Sequence, residues 1–135
     1  MGVSVAILDD DISELYYYAH ALEEVGITPH QFHDVDEFLN EMSNAHLYSA
    51  FILDCVMPPA SLSDTDYGLL TGLVVAKRVR QQYKDEPIIV LTNHNNTSIA
   101  DGLVKICCAR ILHKKNTTPS VLASQVRRAI SKMKS

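Results

Sequence analysis

No stretch of the chain approaches the ~18 consecutive apolar residues that a membrane span requires, so no membrane partner is expected. A basic leader is also missing: Met1 to Leu8 runs straight into Asp9, Asp10 and Asp11, which argues against secretion. The start Met1-Gly2 is not completed as a myristoylation signal, because Ala6 stands where that pattern wants Ser or Thr. Cysteine is scarce. Cys55, Cys107 and Cys108 are odd in number, lack metal-ligand spacing and include an adjacent pair that would rarely bridge, so a reducing cytoplasm is expected. Charge is missing by region. No base precedes Lys77, whereas 13 acids do, and no acid follows Asp101, whereas eight bases do. The formal net charge of -4 makes nucleic acid an unexpected partner. Repeats and low-complexity segments are absent.

What remains is a chain of 135 residues, 47% hydrophobic and 21% charged, the size and balance of one globular domain over residues 1–135. Val3 to Leu8, Phe51 to Leu53 and Ile88 to Leu91 are apolar on both faces, as parallel strands covered on both sides must be. Ile111 and Leu112 form a fourth candidate strand. Ile27 to Phe32 forms a fifth that contains Pro29, which cannot donate to a ladder and so belongs at an edge. Between them lie helical signals. Asp11 with Glu14 forms a capping box before Leu15, Ala19, Leu22 and Val25, and Gly26 supplies the stop. Asp34 with Glu37 repeats the box, and further helices are predicted at Gly72 to Tyr83, Thr97 to Lys105 and Pro119 to Met133. Alternating strands and helices predict an α/β fold. The sheet is doubly wound, parallel and five-stranded, in the flavodoxin-like order 2-1-3-4-5.

In such sheets ligands bind beyond the carboxyl ends of the strands. The first strand ends in Asp9 and Asp10, the third in Asp54, the fourth in Thr92 and the fifth in Lys114. Three crowded carboxylates repel one another, and a hard divalent cation with oxygen ligands, most simply Mg²⁺, resolves the repulsion. A lysine and a hydroxyl opposite that cation suit the oxygens of a phosphoryl group, with a carboxylate in line as nucleophile. Asp11 needs no more than a helix-capping role. His30, His33 and His94 lack a third ligand at metal spacing. Of Tyr16, Tyr17 and Tyr18, one is expected to pack inward and the others to be solvated.

The segments VAILDDD, AFILDCVMPP, GLVVAKRVR, PIIVLTN and ILHKK, in this order, resemble the receiver domain of two-component response regulators, of the stand-alone chemotaxis-regulator kind. The resemblance implies phosphorelay signal transduction in the cytoplasm. Asp54 would accept a phosphoryl group from a histidine kinase or phosphotransfer protein, and an unidentified downstream protein would read the result. It further implies a Mg²⁺ site of Asp9, Asp10, Asp54 and the Val56 carbonyl, with Thr92 as switch hydroxyl and Lys114 as phosphoryl-binding amine. No enzyme in the ordinary sense is implied, beyond self-phosphorylation from small donors and autodephosphorylation.

The chain departs from the family pattern in three places. Thirteen residues separate Met57-Pro58 from Gly72, where the family has a short loop. Lys115 replaces the proline that usually follows the lysine through a cis bond, and Ile111 replaces the aromatic switch residue. In the family the partner surface combines the fourth helix, fifth strand and fifth helix, which here carry Lys105, Arg110, Lys115, Arg127 and Arg128. The rival contact is the loop from Pro58 to Thr71. Two alternatives use the same residues differently. A phosphatase resembling the haloacid dehalogenases would take Asp9 as nucleophile and Asp11 as acid, but lacks that family's acidic cluster after the lysine. A degenerate receiver would act only as a docking module.

Overall fold

The computed structural model describes residues 2–42, 48–54, 71–92 and 110–133. Five strands form one parallel sheet: β1 (Val3–Leu8), β2 (Ile27–Phe32), β3 (Ala50–Asp54), β4 (Ile88–Thr92) and β5 (Arg110–His113), in the order β2-β1-β3-β4-β5. The predicted order is therefore the observed one. The described helices are α1 (Ile12–Glu24), α2 (Val35–Met42), α3 (Thr71–Gln82) and α4 (Pro119–Met133), and a single 3-10 turn, Lys114–Asn116, follows β5. The helix predicted at 97–105 lies outside the described residues, as does the loop predicted at Pro58 to Thr71 except for Thr71, which opens α3. None of the described helices is long and apolar enough to cross a membrane.

The two sheet faces follow from the period-2 alternation of each strand. Ala6, Leu8, Phe51, Leu53, Ile88 and Val90 point to one side and pack with Val35 and Phe38 of α2 and Val75, Ala76 and Val79 of α3. Their neighbours Val5, Ile7, Ala50, Ile52, Ile89 and Leu91 point to the other side and meet Leu15, Tyr18 and Leu22 of α1 and Leu122, Val126 and Ile130 of α4. Both faces are covered, which is why the central strands read as unbroken apolar runs. β2 takes an edge, and its Pro29 sits there in register with Val5.

Local signals set the crossovers. α1 ends at Val25, and Gly26 follows at φ 83, in the left-handed region that side chains disfavour and glycine tolerates, so the chain turns at once into β2. Of the three tyrosines, Tyr18 is buried while Tyr16 and Tyr17 are exposed, as 100° steps around a helix require. From β1 the chain crosses first to β2 on one side and later to β3 on the other. That reversal leaves a crevice at the carboxyl ends of β1 and β3.

Phe51, fully buried on the central strand, holds one core together through ring contacts with Tyr83 at 4.6 Å, Tyr48 at 5.7 Å and Phe38 at 6.5 Å. Phe51→Ala removes a whole ring from a close-packed layer and should cost about 3 to 5 kcal/mol in urea unfolding. A cost below about 1 kcal/mol would mean that the layer collapses into the space, contrary to its packing.

Candidate functional site

Strand register brings the predicted residues together at that crevice. Leu8 pairs with Leu53, so Asp9 and Asp54 stand at the ends of adjacent strands. The Asp9 amide donates to the Phe32 carbonyl at 3.0 Å, which continues the β1–β2 ladder one residue past the strand and fixes where the carboxylate starts. Asp9 is 1% and Asp54 6% exposed, whereas Asp10 faces solvent. One oxygen from each of Asp9, Asp10 and Asp54 lies within 4.8 Å of the others.

Lys114 enters from the far side of the sheet. It follows β5, and the turn Lys114–Asn116 is closed by the Thr117 amide to the Lys114 carbonyl at 3.3 Å and by the Thr117 hydroxyl to the His113 carbonyl at 2.7 Å. Among the described residues no peptide bond is cis, so Lys114 reaches the site from a trans bond to Lys115. Its Nζ stands 3.4 Å from Asp9 Oδ2, 3.5 Å from Asp54 Oδ1 and 2.7 Å from Glu14 Oε1. Thr92 is the last residue of β4, next to Asp54 in the strand order and in register with His113, which precedes Lys114. Val56 and His94 lie outside the described residues.

The structure corrects one local reading. A full capping box has the glutamate reach back to the capping residue's own amide. Here Asp11 does its half, with Oδ1 accepting from the Ser13 amide at 3.0 Å, the Glu14 amide at 3.2 Å and the Ser13 hydroxyl at 2.7 Å. The Asp11 amide instead donates to Asp9 Oδ1 at 2.9 Å, and Glu14 turns to Lys114. Glu14 is thus a site residue that sequence reasoning placed only in a cap. The available signal was topological, since α1 opens at the carboxyl edge of the sheet and its first turn must border the crevice.

The electrostatics follow from crowding. Burial pushes the Asp9 carboxyl above its ordinary range, and the Asp11 amide and the Lys114 ammonium counter this only in part. Burial works against the charge on Lys114, but the hydrogen bond it donates to Glu14 and the charges of Asp54 and Asp9 outweigh it and raise the amine above an ordinary lysine. The hydroxyl and amides on Asp11 hold its exposed carboxylate below the usual range. The donor set suits a hard cation. Three carboxylates that each bring an oxygen within 4.8 Å of the others are the residues that would hold a divalent cation such as Mg²⁺.

The family described as "Response regulator receiver domain" matches residues 5–127. Among solved structures, a receiver domain protein (CheY-like) from Methanospirillum hungatei JF-1 is similar at a TM-score of 0.82 and 15% identity, over 99% of this chain and 98% of that one. Chemotaxis protein CheY4 of Vibrio cholerae is similar at 0.78 and 25%, over 96% and 99%. The RcsB response regulator of Salmonella typhimurium is similar at 0.77 and 23%; 98% of this chain is covered, but only 61% of that longer one. No curated protein matches the chain.

The raised Asp9 fixes the sign of a pH effect. The folded, metal-free protein holds the Asp9 proton more tightly than the unfolded chain, whose value is the ordinary 3.8. The contribution of Asp9 to stability is therefore fully present below that value and is lost as pH rises through the raised one. Asp9→Asn removes this loss. In chelator, urea unfolding from about pH 4 to 8 should show the variant gaining on the parent as pH rises. A difference that stays flat with pH would show that Asp9 is not held against its charge.

Proposed function

Because the chain belongs to the response regulator receiver domain family, we propose that it is a Mg²⁺-dependent phosphoacceptor whose phosphorylated residue is Asp54. One observation carries this reading: Asp54, nearly buried at the end of the central strand, lies beside Asp9 and within 3.5 Å of the Lys114 ammonium. All of residues 1–135 are read as one receiver domain acting in the cytoplasm, with a histidine kinase or histidine phosphotransfer protein as donor and a further protein as reader.

An Asp54 oxygen attacks phosphorus as the P–N bond to the donor's imidazole breaks, the electron pair returns to nitrogen, and an aspartyl phosphate results. Lys114 is assigned to one phosphoryl oxygen, and Thr92, at the end of the neighbouring strand, to another. Asp10, Asp54 and the Val56 carbonyl would hold Mg²⁺, with Asp9 behind them, and the ion would neutralise charge on the phosphoryl oxygens. The protein itself supplies orientation and fixed charge. Its own chemistry is confined to self-phosphorylation from small donors and hydrolysis of its own phosphate, and it acts on no free substrate. Asp9 Oδ1 is committed to the Asp11 amide at 2.9 Å, which suits Asp9 to a positioning role rather than to attack on phosphorus. That engagement weighs against the phosphatase alternative.

Incubation with a small phosphodonor and Mg²⁺, followed by intact mass and peptide mapping, should place phosphate on Asp54, and Asp54→Asn should abolish labelling. Phosphate on Asp9, or an Asn variant labelled as well as the parent, overturns the reading. Asp10→Asn, which removes an exposed carboxylate without opening the core, should weaken Mg²⁺ binding by at least about tenfold in a titration. Unchanged affinity would take Asp10 out of the coordination shell.

A further inference from the structure

The shortest contact of Lys114 is with neither of the buried aspartates. Its 2.7 Å hydrogen bond to Glu14 has the length of a full charge-assisted bond, whereas Asp9 at 3.4 Å and Asp54 at 3.5 Å lie beyond that range. Glu14 is delivered from a rigid place, because its amide is capped by Asp11 in the first turn of α1. The Lys114 side chain is 9% exposed and that of Glu14 36%, so the lysine is confined while the glutamate borders water.

An ammonium has three N–H donors and no more. In this structure three carboxylates already lie within 3.5 Å of it. A phosphoryl group on Asp54 brings further oxygens of higher charge, and some present acceptor must then give way. Water can replace the ammonium at Glu14, the most exposed of the three, far more readily than at Asp9 or Asp54. We propose that Glu14 is a positioning residue for phosphoryl transfer: its carboxylate holds the Lys114 ammonium in the unphosphorylated protein and releases it as the phosphoryl group arrives. This rests on Asp54 being the phosphoacceptor. Breaking the contact adds to the barrier for transfer, so Glu14 restrains phosphorylation. Glu14→Gln keeps a hydrogen-bond acceptor of the same shape and removes the charge.

The test uses the full chain, saturating Mg²⁺ and phosphoramidate as donor, with the rate of phosphate appearance on Asp54 read by mass. Glu14→Gln should label about threefold to fivefold faster than the parent, the size of one partly exposed ion pair. Glu14→Ala should act in the same direction. In a Lys114→Met background, slower in itself, adding Glu14→Gln should change nothing, because the effect passes through the lysine. A helix-end role alone would lower the thermal midpoint and leave the rate unmoved, which overturns the proposal. A rate increase that persists without Lys114 also overturns it, since charge removal would then be acting on the anionic donor. A parent labelled at Asp54 with no Glu14 effect defeats this inference and leaves the receiver reading standing; a parent unlabelled at Asp54 defeats both.

Discussion

The structure depends on one imbalance: among the described residues, one ammonium set among three carboxylates at the reversal point of a parallel sheet. Lys114 follows β5, while Asp54 ends β3 two strands away, roughly 10 Å at the usual strand spacing. The lysine side chain therefore spans the end of β4 and ties the carboxyl edge of the sheet together from β5 to β1. Against the cost of burial, those carboxylates hold the amine above an ordinary lysine. The upward shift of Asp9 comes first from its burial, which the Asp11 amide and the Lys114 ammonium offset only in part.

Such a site is costly to keep, and the two apolar layers offset the cost. Residues at the centre of β1, β3 and β4 are fully buried on both faces, with Phe51 at the middle of an aromatic cluster and Leu122 and Val126 sealing the other side. Buried acids are places where local rules of good design give way to function, and among the described residues the two, Asp9 and Asp54, lie at one rim. The rigidity of the layers fixes where each strand ends. In turn, the strand ends decide which carboxylates meet.

How much of this is readable from residues alone depends on the range of the interaction. The three central strands, the edge strand with Pro29 and the order of the sheet follow from alternation and from proline's missing donor, which are local properties. The rule that ligands sit beyond carboxyl ends then selects Asp9, Asp10, Asp54, Thr92 and Lys114. The partner of Lys114 was not readable. Glu14 at the third position of a helix fits a capping box perfectly well, and only the fold brings residue 114 to within 2.7 Å of it. The turn after β5 was equally hidden, because Lys115 removes the family's proline without stating what conformation replaces it; the answer is a trans bond and a 3-10 turn pinned by Thr117.

Under the proposed function the charges at the rim fall into an order. Among the described residues Asp9, Asp54 and Glu14 share the Lys114 ammonium and Asp10 stands beside them, so acidic groups are in excess at the crevice. A divalent cation reduces that excess, so its binding and the approach of an anionic donor are coupled through Coulomb energy, without any movement of the fold. The backbone beside Lys114 is held by the Thr117 contacts, and under the proposal its side chain exchanges Glu14 for a phosphoryl oxygen on Asp54. The lysine lies between the two sites, so a change of charge at Asp54 is felt first at Glu14, in the opening turn of α1. That helix packs against α4 and against β2, and its outer surface exposes Ile12, Tyr16 and Tyr17. Chemistry at the central strand is thereby joined to the surface of α1 by one side chain, without the aromatic residue that Ile111 replaces.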